Sequence, residues 1–551
     1  MSRLGSARIR NWATELLCVA AVLAPLTVCL ASDVIHTSLW LDEVTYHYYE
    51  DDMALRAAEL GRSGRFLAPY VGVFFNCDVQ HLLHRVFRAF GLTLQRDPEA
   101  YLRLPSVVWY VVAVLAFYTF LRLRLSHRLD ALLGGLSFSS TPIFLHYAFE
   151  ARVYSLTLML VVLLLIAVEA AGKKPTRGSL LLVAAFGLVA AHSQLWTVCL
   201  FFALVLVAGL QSWRLGRLTS WARAALAASL PALTLIGAET LYMRATDPGA
   251  PVFPPFFRQQ GLLTLWQLLI SNFAGVTQTQ YVVLGTSRTM LLALGGVFAI
   301  LALAYLSARD RREAPDGSRA SDWIEVGLLS LFFCWLLAVG YGFFIHARYH
   351  VSLMGSVFLG VALFPSKRKR LVLALLVACN VGLLPETVQA IQFKASVKQM
   401  AELIRQKGGR SVSVICQHVV TGGYPLPAQS MVLDFYLNVL HPDETPIRIY
   451  EKPDLTLTTG RRGVYDFFNA GSPGLERYLK SMPEVWREKR DQIGDHLFIL
   501  DQYWNIEKGN QQNLDFARVM LEQGDLEVAG KYLVPGFPKT FIVEVRRKAG
   551  P

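Results

Sequence analysis

The sequence predicts an α-helical multi-span membrane protein with a soluble α/β domain at its C-terminal end. Composition is the first reason. Of 551 residues, 54% are hydrophobic and only 17% are charged, whereas soluble chains sit nearer a quarter charged. The second is a series of apolar runs, each approaching the ~20 residues that cross a ~30 Å hydrocarbon core. The third is that basic residues fall in short clusters on alternate connections, which is how orientation in a bilayer is written into a chain.

About eleven runs qualify as spans, near 13–32, 105–121, 130–148, 153–171, 179–192, 194–210, 224–242, 289–307, 323–345, 349–364 and 371–389. The first follows Arg3, Arg8 and Arg10. It is long enough to span and others follow it, so it reads as an uncleaved helix rather than a signal peptide. Arg122, Arg124 and Arg128 follow the second span, Lys173, Lys174 and Arg177 the fourth, and Arg214, Arg217 and Arg223 the sixth. Arg309, Arg311, Arg312 and Arg319 follow the eighth, and Lys367 to Arg370 the tenth. Eleven crossings put all of these on the side of the N-terminus, which the positive-inside rule makes cytoplasmic. The net charge of +12 is dispersed in this way and not gathered in one domain, so it argues against nucleic-acid binding. Seven cysteines without a CxxC pair give neither a zinc motif nor a disulfide framework.

The same topology places a long loop, 33–104, on the outer face. Within it Met53–Gly64 and Val79–Phe90 have the apolar spacing of amphipathic helices lying in the interface. A second outer loop, 243–288, carries the Pro-rich stretch Asp247–Pro255, which cannot be a regular helix. The membrane domain is expected over 1–390 and the extracytoplasmic domain over 391–551. In the latter, Ser411–Cys416, Leu497–Leu500 and Phe541–Val545 read as strands, and Met400–Gln406 and Leu475–Met482 as helices.

Three clusters of chemically capable residues fall on that outer face. Asp42 and Glu43 follow Trp40 and Leu41 and precede Tyr46, Tyr48 and Tyr49. A carboxylate in low-dielectric surroundings can act as general base on a hydroxyl, or it can ligate a divalent cation. The residues alone do not separate those roles, and solvated interface carboxylates are the plainer reading. Trp40 and Tyr46 offer faces of the kind that hold sugars. Glu150-Ala151-Arg152-Val153-Tyr154 sits where two spans meet. Its arginine can grip a phosphate, with Glu150 or Tyr154 orienting it, or the pair can simply stitch helices. His346-Ala347-Arg348-Tyr349-His350 interrupts an apolar stretch and offers a second guanidinium beside a hydroxyl and the His346 imidazole; an interface anchor is the alternative. His81 and His84 are spaced as a helical pair, and His192, Gln194 and Glu239 lie at outer ends of spans.

These residues resemble the GT-C superfamily of integral-membrane glycosyltransferases, in particular the branch similar to protein O-mannosyltransferases and the lipid A aminoarabinose transferase. That family carries an acidic pair after the first span, matched here by Leu41-Asp42-Glu43. It carries Glu-Ala-Arg-x-Tyr, matched by Glu150–Tyr154, and an Arg-Tyr before a late span, matched by Arg348-Tyr349. Many relatives have Pro-Pro-Leu-Tyr where this chain has Asp78–His84. The resemblance covers about residues 10–390. It implies an enzyme that moves a hexose or pentose, with inversion, from a polyprenyl-phosphate donor to a lipid, glycan or protein acceptor at the outer face of a bacterial plasma membrane. It also implies Asp42 as base, Glu43 in support or helping to bind a metal, and Arg152, Arg348 and Tyr349 on the donor phosphate, with Trp40, Tyr46, Glu150, Tyr154 and His346 near substrate. No cofactor is implied beyond a candidate divalent cation at Asp42.

Two rival classes remain open at this point. A transporter or lipid flippase would place ionisable residues or broken helices at mid-membrane. A non-catalytic assembly protein would bind through its outer domain alone.

Overall fold

A computed structural model describes residues 3–39, 43–44, 83–246, 319–341, 354–364, 369–392, 397–408, 412–416, 419–421, 424–426, 432–451, 456–457, 486–488, 490, 492–503, 521–522, 525–534 and 539–548. The expected span 289–307, the Pro-rich stretch 247–255 and the expected helices 53–64 and 475–482 lie outside them. The chain divides into two compact units. One comprises 1–35, 57–86 and 103–391; the other comprises 36–56, 87–102 and 392–551.

The first unit is a helical bundle. In chain order its helices are α1 (Arg3–Ala31), α2 (Pro98–Arg124, entering this unit at Arg103), α3 (Arg128–Ser139), α4 (Pro142–Ala148), α5 (Tyr154–Lys173), α6 (Arg177–Ser193), α7 (Val198–Leu215), α8 (Ser220–Thr246), α9 (Arg319–Tyr341), α10 (Met354–Leu363), α11 (Lys369–Gly382) and α12 (Leu384–Gln392). Six stretches among the described residues are helical, long and apolar enough to cross a membrane. The chain is a multi-pass membrane protein. Leu16, Leu17, Leu123, Leu181 and Leu371 are exposed, as expected of faces turned to hydrocarbon rather than water.

Two expected spans are interrupted. The run 130–148 breaks at Ser140–Thr141, because Pro142 takes the first position of α4 and has no N–H to continue the helix from α3. The run 371–389 breaks at Leu383, ahead of Pro385. Elsewhere the ends have local causes. Thr176 and Ser179 form a reciprocal capping box at the start of α6, with Ser179 N–H donating to Thr176 Oγ1 at 3.1 Å. Gly216 closes α7 at φ +60, where Arg217 N–H reaches back to the Ser212 carbonyl at 3.2 Å.

Helix α8 packs on α5, α6 and α7, and α3 packs on α1, α10 and α11. The α6–α8 crossing is close because position 187 is glycine: a Cβ there would lie 2.2 Å from the Ala228 carbonyl oxygen. Around α3, Phe138 stacks on Phe117 with centroids 4.5 Å apart and meets Phe144 at 4.8 Å and Phe358 at 6.0 Å.

Several residues of the basic clusters that read as simple orientation signals are paired in the structure. Arg122 and Arg128 flank Glu15 at 2.8 and 3.0 Å. Lys369 pairs with Asp130 at 3.0 Å, and Arg124 with Glu169 at 2.9 Å. Glu169 is buried and also accepts from Trp323 Nε1 at 3.1 Å. Breaking a buried pair leaves an uncompensated charge. Glu169→Ala is therefore expected to cost about 2–3 kcal/mol, discounted because Arg124 is partly exposed. A lowered thermal midpoint in detergent, against an unchanged one for the exposed Arg217→Ala on the same bundle, checks this.

The second unit is built on a six-stranded sheet. Its strands are β1 (Ser413–Cys416), β4 (Arg448–Glu451), β5 (Thr456–Leu457), β6 (His496–Tyr503), β7 (Leu526–Val534) and β8 (Lys539–Arg547), in the order β5-β4-β1-β6-β8-β7. A separate hairpin pairs β2 (Val419–Thr421) with β3 (Tyr424–Leu426). Strand β1 is parallel to both its neighbours and buried throughout, as a central strand covered on both faces must be. The expected strands at 411–416, 497–500 and 541–545 fall on β1, β6 and β8, and the helix expected at 400–406 lies within α13 (Val397–Gly408).

Glu544 on β8 joins three strands. It accepts from Tyr532 of β7 at 2.7 Å, lies 2.9 Å from His496 Nε2 of β6, and pairs with Arg546 at 2.6 Å. Burial pushes its carboxyl up, but the Tyr532, Arg546 and His496 hydrogen bonds outweigh that and hold it below the ordinary value. Its stabilisation is then full above the unfolded carboxyl value and lost as pH falls through the depressed folded one. The thermal midpoint is expected to fall between about pH 5 and pH 3, and to fall less in Glu544→Gln. Equal slopes in the two proteins would refute this.

Candidate active site

In the membrane unit the chain between α4 and α5 brings four expected or neighbouring residues together. Glu150, Ala151 and Arg152 follow the end of α4, and Tyr154 opens α5. The turn is tight: Arg152 N–H donates to the Glu150 carbonyl at 2.7 Å. Ser106 Oγ from α2 donates to the Arg152 carbonyl at 3.1 Å. Ser155 Oγ donates to the Tyr147 carbonyl at 3.0 Å. The Arg152 guanidinium lies over the Tyr154 ring, 5.7 Å from its centroid, with Nη2 3.4 Å from the phenol oxygen. Tyr147 packs on Tyr154 with centroids 4.9 Å apart. The guanidinium is thereby oriented by aromatic contact.

Glu150 is buried, and its Oε1 lies 3.4 Å from His146 Nε2, itself 3% exposed. The sequence reading missed His146 because it falls inside an apolar run. Its spacing four residues before Glu150, across a helix end, was the available signal. Two further buried acceptors, Thr157 Oγ1 and Gln194 Oε1, have no hydrogen-bond partner among the described residues. Gln194 follows α6 directly, and His192 beside it is half-buried.

The acidic loop belongs to the second unit. Glu43 and Val44 are helical and fully buried. Trp40, Asp42, Tyr46, His346, Arg348, Tyr349 and His81 lie outside the described residues. Just upstream, Leu39 N–H donates to the Tyr436 hydroxyl at 2.9 Å, and Lys398 N–H donates to Ser38 Oγ at 3.2 Å. The Tyr436 hydroxyl donates in turn to Glu99 Oε1 at 2.9 Å, and Lys398 Nζ lies 3.1 Å from the same carboxylate oxygen. Tyr436 and Glu99 also line a cavity of about 610 Å³ that lies wholly in this unit, with His36, Asp97, Arg405 and His441. Its charges are largely matched internally. His36 meets Asp97 at 3.1 Å, and Arg405 holds Glu444 through two bonds of 2.9 and 2.8 Å. Burial lowers the His441 imidazole, Arg405 lowers it further, and Glu444 opposes both.

Among the described residues no group of three or more His, Cys, Asp or Glu is arranged to hold a metal ion. Asp42, the expected ligand of a divalent cation, lies outside the described residues.

The whole chain can be laid on a known structure. ArnT from Cupriavidus metallidurans in the apo state matches with a TM-score of 0.51 at 14% identity, over 97% of this chain and 98% of that one. The chain shares that fold. A second structure of ArnT, bound to undecaprenyl phosphate, matches at a TM-score of 0.49 and 15% identity over 98% and 99% of the two chains. No family model and no curated protein sequence matches the chain. At 14% identity the agreement with the apo structure is one of backbone architecture, and it extends over nearly the whole chain.

Proposed function

We propose that this GT-C-like chain is an inverting glycosyltransferase that moves a sugar from a polyprenyl-phosphate donor to an acceptor at the outer face of a bacterial plasma membrane. The observation that carries the reading is the buried turn Glu150–Tyr154, in which Arg152 is stacked and aimed by Tyr154 at the end of two helices. A lipid-linked phosphate is anionic and lives at headgroup depth, where an oriented guanidinium is the natural ligand. The undecaprenyl phosphate bound to ArnT belongs to that protein; for this chain the donor class rests on Arg152 and on the resemblance.

In this reading Arg152, with Arg348 and Tyr349, holds the donor phosphate. Asp42 takes the proton of the acceptor hydroxyl, and Glu43 keeps the loop acidic. The acceptor oxygen bonds to the anomeric carbon from the face opposite the leaving group. The anomeric C–O bond breaks, and its electron pair leaves on polyprenyl phosphate, where the Arg152 charge stabilises it. Trp40, Tyr46, Glu150, Tyr154 and His346 bind the sugar. Residues 1–390 carry the catalysis and 391–551 form the extracytoplasmic domain, with the N-terminus cytoplasmic.

The transporter reading is disfavoured by one feature of the bundle. Its buried carboxylates Asp130 and Glu169 lie towards helix ends, each paired with a cation, whereas translocation pathways concentrate ionisable groups at mid-membrane. Mass spectrometry of cell-envelope glycans from strains with and without the gene tests the proposal. One glycan or lipid species is expected to lose a single sugar increment on deletion; identical profiles would overturn it.

A further inference from the structure

We propose that Tyr436 is a positioning residue of this transferase: its hydroxyl clamps the Leu39 backbone and so sets the acidic segment that follows. The inference rests on the reading of Asp42 and Glu43 as the reacting carboxylates. Leu39 is buried, and its amide donates to Tyr436 Oη at 2.9 Å across 397 positions of sequence. The phenol proton is committed elsewhere, to Glu99 Oε1 at 2.9 Å, so the oxygen is oriented as an acceptor for that amide. Glu99 is only 1% exposed and is held by Lys398 Nζ at 3.1 Å, while the Lys398 amide donates to Ser38 Oγ at 3.2 Å. Three residues from three distant parts of the chain thus fix Ser38 and Leu39.

Glu43, four positions further on, is itself fully buried in the same unit. A general base must be held within a fraction of an ångström of its proton, and a loop seven tenths of the chain away in sequence supplies that rigidity here. Tyr436 sits in a single π-helical turn, Phe435–Val439, a distortion that recurs at functional positions. That turn is braced from below, where Asn438 Nδ2 donates to Asp434 at 2.8 Å and to the Ile447 carbonyl at 3.0 Å.

The clamp predicts a split that a merely structural tyrosine would not give. Tyr436→Phe keeps the ring and removes both hydrogen bonds. In the full-length protein, hydrogen exchange in the peptide containing Leu39 is expected to quicken about tenfold, while peptides of β6 and β8 keep their rates. The kcat for sugar transfer is expected to fall about tenfold with the donor KM within about twofold, since donor binding is not touched. Glu99→Gln retains a carbonyl oxygen for the phenol proton and is expected to keep kcat within about threefold, whereas Glu99→Ala falls as Tyr436→Phe does. The Glu99 pair carries the same test if the Tyr436 variant does not fold. Unchanged Leu39 exchange, or equal kcat in Glu99→Gln and Glu99→Ala, overturns the clamp. Exchange needs no substrate, so the two claims fail separately. Faster exchange with no sugar moved by the unaltered protein sinks the transferase reading and leaves the clamp. Active enzyme with Tyr436→Phe at full rate sinks the clamp and leaves the transferase.

Discussion

Asp42→Asn is expected to abolish sugar transfer, lowering kcat by about three orders of magnitude or more while expression, membrane insertion and thermal midpoint stay unchanged. The amide matches the carboxylate in size but cannot accept a proton from the acceptor hydroxyl. General-base assistance alone is worth about 10²–10⁴-fold. The alternative base is Glu43, and its burial with helical backbone makes it the less accessible of the two. Glu43→Gln is accordingly expected to be the milder change, with about a tenfold loss. A purified Asp42→Asn enzyme with near-normal kcat would remove Asp42 from the mechanism, and a reversed order of the two variants would move the base to Glu43.

Arg152→Ala is expected to lower kcat/KM by about 100-fold or more, with most of the loss in kcat if the guanidinium stabilises the leaving phosphate. Arg152→Lys is the more informative variant. Lysine keeps the charge but cannot lie flat on the Tyr154 ring with two donors in one plane. In the structure the guanidinium carbon lies 5.7 Å from the ring centroid, a cation–π contact. The lysine variant is expected to recover less than about a tenth of the activity. Tyr154→Phe keeps the ring contact and loses only the 3.4 Å contact with the guanidinium, so it should cost far less. If Arg152→Ala left kcat/KM intact, the residue would be a helix-stitching group and the donor phosphate would be held elsewhere.

Much of the membrane architecture was legible because it follows from one-dimensional rules. Apolar length marks α1, α2, α5, α7 and α8, and the arginines and lysines at their ends carry orientation. What those rules leave out is pairing. Glu15, Asp130 and Glu169 receive Arg122, Arg370 and Arg124. A partner 107 or 240 positions away leaves no local trace. Helix breaks were half legible: Pro142 and Pro385 are visible in the text, but a run of apolar residues hides the stop. Glu150–Tyr154 stood out because a charge is costly in an apolar context, and the structure does gather Glu150, Arg152 and Tyr154. His146 was hidden by the apolar residues around it. The Tyr436–Leu39 contact had no signal at all, since an unremarkable tyrosine in a polar domain is usually surface. The strands were easier, because β1, β6 and β8 alternate or run apolar in the expected way.

The fold by itself does not say whether a lipid-linked sugar is cleaved or merely carried. The most direct measurement is donor turnover in proteoliposomes containing the purified protein, a polyprenyl-phosphate-linked sugar and extracted envelope acceptors, read by mass spectrometry of both lipid products. The account predicts free polyprenyl phosphate appearing in step with a glycosylated acceptor of inverted anomeric configuration, and neither product with Asp42→Asn. Donor that changes leaflet with its sugar still attached, at equal rates in both proteins, would contradict it.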